Sequence, residues 1–306
     1  MRIELDAGAT SQVALTVGWI GAGKMGGPMI RNLLAQGIAV AVTDPDHDAL
    51  ADLFTLGATT AHDITGQASS DIVFATLPND DVLRLVVMGS GTTPGLADIL
   101  RPGTTFVEMS TVSPNCSADV ATALKNKDIL YLRAPLSGST ALAETAALTI
   151  LASGDKAAWD IVQPCLAYLS ARRFYLGQGE EARYMKLVLN TLVGATAAIM
   201  AEALALGQSG GLSRSAIMEV IGESAVASPL LKYKTETIVA NDFTPAFSVD
   251  QMVKDFTLIT DAARDHGVPQ DVTALILQQY RDAAASGLNE ADFFALVKWR
   301  EGAVHP

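Results

Sequence analysis

The chain has 306 residues, and a chain of this length typically holds about two domains with a substantial core. Hydrophobic residues make up 49% of it and charged residues 18%, which is typical of globular rather than disordered proteins. Acidic residues outnumber basic ones by 33 to 21, and the net charge of −12 argues against nucleic acid or an anionic membrane as the main partner.

Residues 1–15 show no basic segment followed by a long apolar stretch. A signal peptide is therefore not expected, and these residues are predicted to form a flexible N-terminal extension. The two cysteines, Cys116 and Cys165, are isolated and show neither a CxxC motif nor zinc-ligand spacing. We predict two buried, reduced thiols, which fits a cytoplasmic protein.

Residues 16–179 alternate apolar runs with helical segments. A strand is predicted over VGWI (17–20), then a helix over 24–37, a strand over 38–44 and a helix over 46–57. Further strands are predicted over 71–78, 104–110, 129–136 and 148–154. Apolar strands separated by helices predict a mainly parallel sheet covered on both faces, the α/β architecture of a doubly wound, Rossmann-type domain.

Residues 180–306 are predicted to form an all-helical domain for substrate binding and dimerisation, with the boundary near 176–182. The apolar stretch 187–206 is as long as a membrane span. It contains Asn190 and Glu202, however, and its alanine content favours a central helix of the domain or a subunit interface. No membrane association is expected. Helices are predicted over 180–211, 213–224, 249–267, 271–287 and 290–302.

Three glycines follow the first predicted strand in the spacing G-x-G-x-x-G and lead into a helix. There, Gly21 allows a tight turn, Gly23 lets the main chain approach a pyrophosphate, and Gly26 lets helix and strand pack closely. Free N–H groups and the helix dipole then favour the anion. The alternative is a purely structural glycine turn. The predicted cofactor-binding loop comprises Gly21, Ala22, Gly23, Lys24, Met25 and Gly26.

Asp44 ends the second predicted strand. A carboxylate there can accept hydrogen bonds from the ribose hydroxyls of NAD and would repel the 2′-phosphate of NADP. The next residues, Pro45, Asp46 and His47, include no arginine that could neutralise this phosphate. The position favours NAD over NADP as the cofactor. The alternative is an acidic residue that only stabilises the start of the second helix.

The histidines do not lie in a convincing acid–base motif, and each is expected at the surface or behind the site. No cluster of histidines, cysteines and carboxylates suggests a catalytic metal. The four histidines are His47, His62, His266 and His305.

Lys186 is the notable polar residue, because it lies near the start of an otherwise apolar helix with Asn190 four residues further on, on the same face. A lysine in a partly desolvated site can donate a proton to a carbonyl oxygen or, when neutral, accept one. An amide one turn away can orient the same oxygen. The spacing alone also allows a solvated lysine on an amphipathic first turn.

Several motifs together resemble those of the β-hydroxyacid dehydrogenases, which include 3-hydroxyisobutyrate dehydrogenase and tartronate semialdehyde reductase. The motifs occur in the family's order over residues 16–300: GWIGAGKMGGPM, ATLPND, EMSTVSP, APLSGSTALAETAALTILASGD, YLGQGEEARYMKLVLN and FSVDQMVKD. The resemblance implies a catalytic role for Lys186 and substrate binding by Asn190, Ser137, Gly138 and Ser139. It implies cofactor contacts from Leu77, Pro78, Val82, Thr111 and Lys254.

The chain departs from the family pattern in the substrate loop. Arg133 stands where the family often has an acidic residue, and Ser139 replaces a glycine. Both glycines of the family's G-A-x-x-G-T-L pattern are absent from ALAETAAL. Arg133 would add positive potential if it faced the cleft, but a lone arginine on a strand is more often a solvated edge residue.

The resemblance implies hydride transfer between NAD(H) and a small β-hydroxy acid or semialdehyde acid, with Lys186 as general acid and base. The partner is then a small substrate that carries a carboxylate. The apolar stretch 187–206 and the resemblance together predict a homodimer or homotetramer. The alternatives are an enzyme like the imine reductases, which usually have another residue in place of this lysine, and a non-catalytic dinucleotide-binding protein.

Overall fold

The computed structural model describes residues 15–61 and 63–304. They form two compact units, the first ending at Lys186 and the second beginning at Leu187. The predicted extension over residues 1–15 lies outside the described residues except for Leu15. Each unit has its own hydrophobic core.

The first unit is built on one sheet. Within the described residues its strands are β1 (Val17–Ile20), β2 (Val40–Thr43), β3 (Thr59–Ala61), β4 (Ile72–Ala75), β5 (Thr105–Glu108), β6 (Leu130–Arg133), β7 (Leu136–Ser137), β8 (Leu148–Gly154) and β9 (Ser170–Tyr175). The order is β3-β2-β1-β4-β5-β6-β8-β7, and β9 pairs with β8. Neighbours from β3 to β6 are parallel, whereas β8 runs antiparallel to β6 and β7.

Helices connect these strands and cover both faces of the sheet. They are α1 (Gly26–Ala35), α2 (His47–Thr55), α3 (Asp80–Met88), α4 (Leu96–Ile99), α5 (Pro114–Lys125), α6 (Thr140–Glu144) and α7 (Lys156–Ala167). Along β4, Ile72 and Phe74 belong to one core cluster and Val73 and Ala75 to another. Since neighbouring strand residues point to opposite faces, both faces are buried.

Helices also make up the described part of the second unit. They are α8 (Glu181–Ser209), which begins in the first unit, α9 (Arg214–Glu223), α10 (Pro229–Ala240), α11 (Val249–Asp265), α12 (Asp271–Ala283) and α13 (Leu296–Val304). Met252, Phe256 and Ile259 of α11 are buried at helical spacing. The prediction of a doubly wound, Rossmann-type domain followed by an all-helical one is confirmed.

Three strands of the first unit and one helix of the second were not predicted, and in each of them the local pattern is weak. The strand β3 has only three residues, and β7 has two. The strand β9 carries Arg172 and Arg173 and forms by pairing with the apolar β8. The helix α10 includes three β-branched residues between Thr235 and Ile238, although Ser228 caps it and Pro229 begins it.

Several observed elements are shorter than predicted. The strand predicted over 129–136, for example, ends at Arg133, two residues before Pro135, which lacks an N–H for the ladder. The compact units divide between Lys186 and Leu187, inside α8. The first turn of α8 belongs to the first unit because it is bonded there: the N–H of Ala182 donates to Ser153 Oγ at 3.0 Å.

Among the residues described, α8 is the one helix long and apolar enough to cross a membrane by length and composition. Of its most apolar window, 44% is buried inside the protein. Ala197, Ala201 and Leu204 pack into the core of the second unit, so α8 has the contacts of a central core helix.

Candidate active site

The glycine loop between β1 and α1 needs two of its glycines for its own packing. Gly21 has a φ of +92°, and a Cβ there would lie 2.1 Å from the carbonyl oxygen of Thr76. A Cβ on Gly26 would lie 2.0 Å from the carbonyl oxygen of Gly21. Gly23 differs, because it is exposed and nothing lies within 4 Å of the place of a Cβ. No other part of the chain occupies the space beside Gly23, so a ligand can approach its backbone closely.

The N-terminus of α1 adds a site for an anion. Met25 occupies the N-cap position without a side-chain hydrogen bond, and the first turn contains no acidic residue. The first N–H groups of a helix lack partners inside it, and the dipole favours negative charge there. The loop and this helix start fit the pyrophosphate of a dinucleotide. Lys24 is an exposed residue of the same loop, and Ala22 is buried.

Asp44 follows β2, and its side chain is tied to the glycine loop. Its Oδ2 accepts from the N–H of Ala22 at 2.5 Å, and its Oδ1 accepts from the N–H of Asp46 at 2.7 Å. Asp46, not Asp44, caps α2, accepting from the N–H groups of Asp48 and Ala49. Asp46 therefore performs the helix-capping role that was the alternative for Asp44.

The loops after β4 and β5 are joined by hydrogen bonds. The N–H of Leu77 donates to Ser110 Oγ at 2.6 Å, and the N–H of Ser113 donates to Asp80 Oδ1 at 2.9 Å. Asn79 caps α3 by accepting from the N–H of Val82 at 2.9 Å. Pro78 is exposed, and Thr111 is half-buried.

The predicted cofactor residues of the first unit thus follow β1, β2, β4 and β5, which are parallel neighbours. The carboxyl ends of such strands form the ligand edge of a doubly wound sheet. The structure brings the glycine loop, Asp44, the Leu77 loop and Thr111 to this edge.

The predicted substrate loop lies between β7, which ends at Ser137, and α6, which begins after Ser139. Gly138 has a φ of +139°, and a Cβ there would lie 2.8 Å from Leu148 Cδ2 and 3.1 Å from Leu142 Cδ1. The position requires glycine for both its backbone conformation and its packing.

The two glycines that the family pattern has beyond this loop fall at Leu142 and Ala146. Ala146 adopts a φ of +54°, in the left-handed region that glycine occupies at no steric cost. An L-residue there is strained by about 1–2 kcal/mol. Leu142 is 41% exposed and lies against Gly138. The departures therefore leave Ala146 in a backbone conformation that glycine favours and place an apolar side chain, Leu142, beside the loop.

Arg133 is not a solvated edge residue, so that expectation is wrong. It is 6% exposed, and its strand β6 lies between β5 and β8. Its guanidinium pairs with the carboxylate of Glu180, donates to Ser117 Oγ at 3.1 Å and lies 4.5 Å from the ring centroid of Tyr131. Arg133 is buried because its strand lies inside the sheet and its partners come from distant parts of the chain. The residue pattern of one strand shows neither of these.

Lys186 is half-buried in the second turn of α8. Arg183, in the turn before it, is 1% exposed and pairs with Glu108, which is fully buried at the end of β5. Burial alone would lower the pKa of Arg183, but the Glu108 carboxylate raises it above its usual range. Neither Arg183 nor Glu108 was identified from the sequence. Their burial is explained by their pairing, because a buried arginine is usually paired with an acidic residue.

In the second unit, Asn190 and Lys254 share one partner that was also missed. Asn190 Nδ2 donates to Asp255 Oδ2 at 2.5 Å, and Lys254 Nζ lies 3.1 Å from Asp255 Oδ1. Asp255 is fully buried, on the apolar face of α11 that includes Met252. This helical spacing is the signal that could have identified it. Because a carboxylate only accepts, it orients the amide of Asn190 with its NH₂ group toward α11.

The remaining candidates for acid–base or nucleophilic chemistry lie elsewhere. His47 and His266 are exposed, and His62 and His305 lie outside the described residues. Both cysteines are buried and free, as predicted, and burial raises the pKa of each thiol to about 12. Among the described residues, no group of His, Cys, Asp or Glu side chains is arranged to hold a metal.

A doubly wound domain with an open glycine loop after its first strand is the arrangement of a dinucleotide-binding protein. Within this class, the chain belongs to the β-hydroxyacid dehydrogenase family. Residues 16–177 match the NAD-binding domain of 6-phosphogluconate dehydrogenase. Residues 177–300 match the family described as the NAD-binding domain of NADP-dependent 3-hydroxyisobutyrate dehydrogenase.

Individual relatives cover nearly the whole chain. It is 34% identical to 2-(hydroxymethyl)glutarate dehydrogenase of Eubacterium barkeri, over 94% of this chain and 96% of the relative. It is 30% identical to glyoxylate/succinic semialdehyde reductase 2 of Arabidopsis thaliana, over 93% and 79%. The crystal structure of 3-hydroxyisobutyrate dehydrogenase from Salmonella typhimurium superposes with a TM-score of 0.84 at 26% identity, covering 93% of this chain and 99% of that one. The chain therefore belongs to a family of NAD(P)-binding dehydrogenases and reductases that act on hydroxy acids.

Proposed function

We propose that this protein transfers a hydride between NAD(H) and a small β-hydroxy acid or semialdehyde acid, with Lys186 as general acid and base. The observation that carries the proposal is the place of Lys186, half-buried one turn after the anchored Arg183. Asn190 follows one turn later on the same helix. A lysine in such surroundings is suited to proton exchange.

The bound nicotinamide accepts or supplies the hydride. In the oxidative direction, neutral Lys186 takes the proton from the substrate hydroxyl, and in the reductive direction its ammonium returns a proton to the carbonyl oxygen. Asn190 has two amide protons, of which Asp255 accepts one, so the second can donate to the same oxygen. The main-chain N–H groups of residues 137–139 hold the carboxylate.

A substrate panel tests the reaction class. The purified protein is assayed with NAD or NADP and a series of hydroxy acids, and with NADH or NADPH and semialdehyde acids or cyclic imines. We expect turnover of a small hydroxy acid and its oxo form. Turnover of imines alone, or cofactor binding without any turnover, would contradict the proposal.

Asp44 is expected to make NAD the preferred cofactor. Its carboxylate would accept from the ribose hydroxyls and repel a 2′-phosphate, and no arginine occupies positions 45–47. We expect a higher kcat/KM with NAD than with NADP, and Asp44→Ala should weaken NAD binding while reducing this discrimination. Because Asp44 also holds Ala22, unfolding of the variant is measured alongside. A higher kcat/KM for NADP in the unmodified protein would refute the assignment.

The loop Ser137–Ser139 is expected to bind a carboxylate near the carbinol carbon. The N–H donors belong to the main chain, so Ser139 in place of a glycine need not remove them. Replacing a hydroxy acid by its methyl ester should lower kcat/KM by about 10- to 150-fold, which corresponds to a charge-assisted hydrogen bond of about 1.5–3 kcal/mol. Equal turnover of acid and ester would show that this loop is not a carboxylate anchor.

The second unit is expected to mediate a homodimer or homotetramer. Four apolar side chains of α8 are more than half exposed on the chain alone: Val188, Leu192, Ile199 and Leu206. Their spacing by four and seven residues places them along one helix face, and such a face is suited to a second copy of the chain. Light scattering at micromolar concentration should give a multiple of 32.0 kDa. Leu192→Glu should shift the mass to that of the monomer. The control, Leu85→Glu on α3, should leave the mass unchanged. A monomeric mass for the unmodified protein would refute the expectation.

A further inference from the structure

We propose that Arg183 and Glu108 are positioning residues that hold the start of α8, and thereby Lys186, in register with the loop after β4. The inference rests on the proposed role of Lys186 as general acid and base. All of the residues involved belong to the first unit.

The Arg183 guanidinium connects the first turn of α8 to the strand β5 and the loop after it, to the strand β6 and to the helix α5. It pairs with Glu108 Oε2, donates to the carbonyl oxygen of Ser110 at 2.8 Å, and donates to Tyr131 Oη at 3.1 Å and Ser117 Oγ at 3.3 Å. Its planar fork satisfies several acceptors in fixed directions. Rotation or sliding of the first turn of α8 would break these bonds together, so Arg183 fixes the angular position of Lys186, three residues later.

Glu108 extends the same network to the loop over the cofactor. While Oε2 holds Arg183, Oε1 accepts from the N–H of Ser110 at 2.6 Å. The hydroxyl of Ser110 in turn accepts from the N–H of Leu77 at 2.6 Å. A continuous hydrogen-bonded path therefore runs from the helix that carries Lys186 to the predicted nicotinamide loop.

A second attachment acts on the residues just before α8. Arg133 pairs with Glu180, and Ser153 Oγ donates to the carbonyl oxygen of Gly179 at 2.8 Å and accepts from the N–H of Ala182 at 3.0 Å. We therefore assign Arg133 to the attachment of the start of α8 and not to substrate binding.

The energetics favour a positioning role over a stabilising one. Removing two charges from water is costly, and well-packed apolar residues often replace a buried ion pair at little or no cost in stability. A directional network next to a proton-transfer group is different, because a misplacement of about 1 Å can cost about 10²-fold in rate. The network lies between the predicted acid–base group and the predicted cofactor loop.

Arg183→Met tests the inference, because methionine fills the space without charge or directional bonds. It is made together with Glu108→Gln, so that no buried carboxylate is left without a counter-charge. We expect kcat to fall by about 10-fold or more, as misplacement of the reacting group predicts. The KM for the substrate and the Kd for NAD, measured by titration, should change much less. In the Lys186→Ala background, adding Arg183→Met should lower kcat little further, because the residue it positions is absent.

Two further variants keep the result interpretable. Arg214→Met removes a partly buried arginine that pairs with Glu301 in the second unit, and it should leave kcat unchanged. If Arg183→Met does not fold, Arg183→Lys retains a charge for Glu108 but lacks the fork, and it should show an intermediate loss of kcat. Unchanged kcat in the folded Arg183 variant, or a full additional loss in the Lys186→Ala background, would overturn the inference while the proposed reaction stood. Near-normal turnover by Lys186→Ala alone would instead refute the proposed reaction.

Discussion

Replacing Lys186 with alanine should lower kcat by about 10²- to 10⁴-fold, the range that a positioned acid–base group contributes. The variant should still bind NAD, because the predicted cofactor contacts, the glycine loop and Asp44, follow strands β1 and β2 and do not include Lys186. Removal of the side chain takes away the proton acceptor for the hydroxyl in oxidation and the donor for the carbonyl oxygen in reduction.

Steady-state kinetics in both directions and titration with NAD measure these two effects separately. Lys125→Ala is the control, because Lys125 is exposed in the last turn of α5 and belongs to none of the predicted sites. It should behave like the unmodified protein. A folded Lys186→Ala variant with near-normal turnover would remove the lysine from the mechanism.

Replacing Lys234 with methionine should destabilise the protein by about 3–5 kcal/mol, the usual cost of removing one partner from a buried ion pair. Lys234 is 3% exposed on α10, and its Nζ lies 2.7 Å from Oδ2 of Asp292, which is fully buried. Asp292 also caps the short helix that follows it, because its Oδ1 accepts from the N–H of Phe294 at 3.1 Å. Without Lys234, this carboxylate would remain in an apolar environment without a counter-charge.

Urea unfolding followed by far-ultraviolet circular dichroism gives the free energy difference. The matched control is Lys127→Met, which removes the ion pair with Asp98 whose side chains are both 50% exposed. It should cost at most about 1 kcal/mol, as exposed pairs do. Equal effects of the two substitutions would show that burial does not set the importance of the Lys234 pair.

Elements with a strong periodic pattern were predicted from the sequence close to their observed bounds. The strand over 17–20 and the strand over 148–154 have the observed bounds, and the helix over 249–267 extends two residues beyond α11. The sequence was less informative for β9 and α10, where pairing with β8 and packing in the second unit override a weak local pattern. Propensity is a local quantity, and such elements depend on surroundings that lie elsewhere in the chain.

The candidate site shows the same division. The glycine loop could be assigned because its spacing is a local requirement: Gly21 and Gly26 must lack side chains for the turn to close, and Gly23 leaves the backbone open. The roles of the other predicted site residues came from the resemblance to the family and stay predictions. They are Leu77, Pro78, Val82, Thr111, Ser137, Gly138, Ser139, Lys186, Asn190 and Lys254.

The sequence by itself determined the family, the doubly wound first unit and the helical second unit, because periodicity, glycine spacing and motif order are all properties of neighbouring residues. Only the tertiary structure decided the partners of the buried charges. Arg183 pairs with Glu108, which is 75 residues away in the sequence. Asn190 is hydrogen-bonded to Asp255, 65 residues away, and Arg133 pairs with Glu180, 47 residues away. A charge is buried only where an opposite charge or a hydrogen-bonding group meets it, and folding brings such groups together from distant parts of the chain.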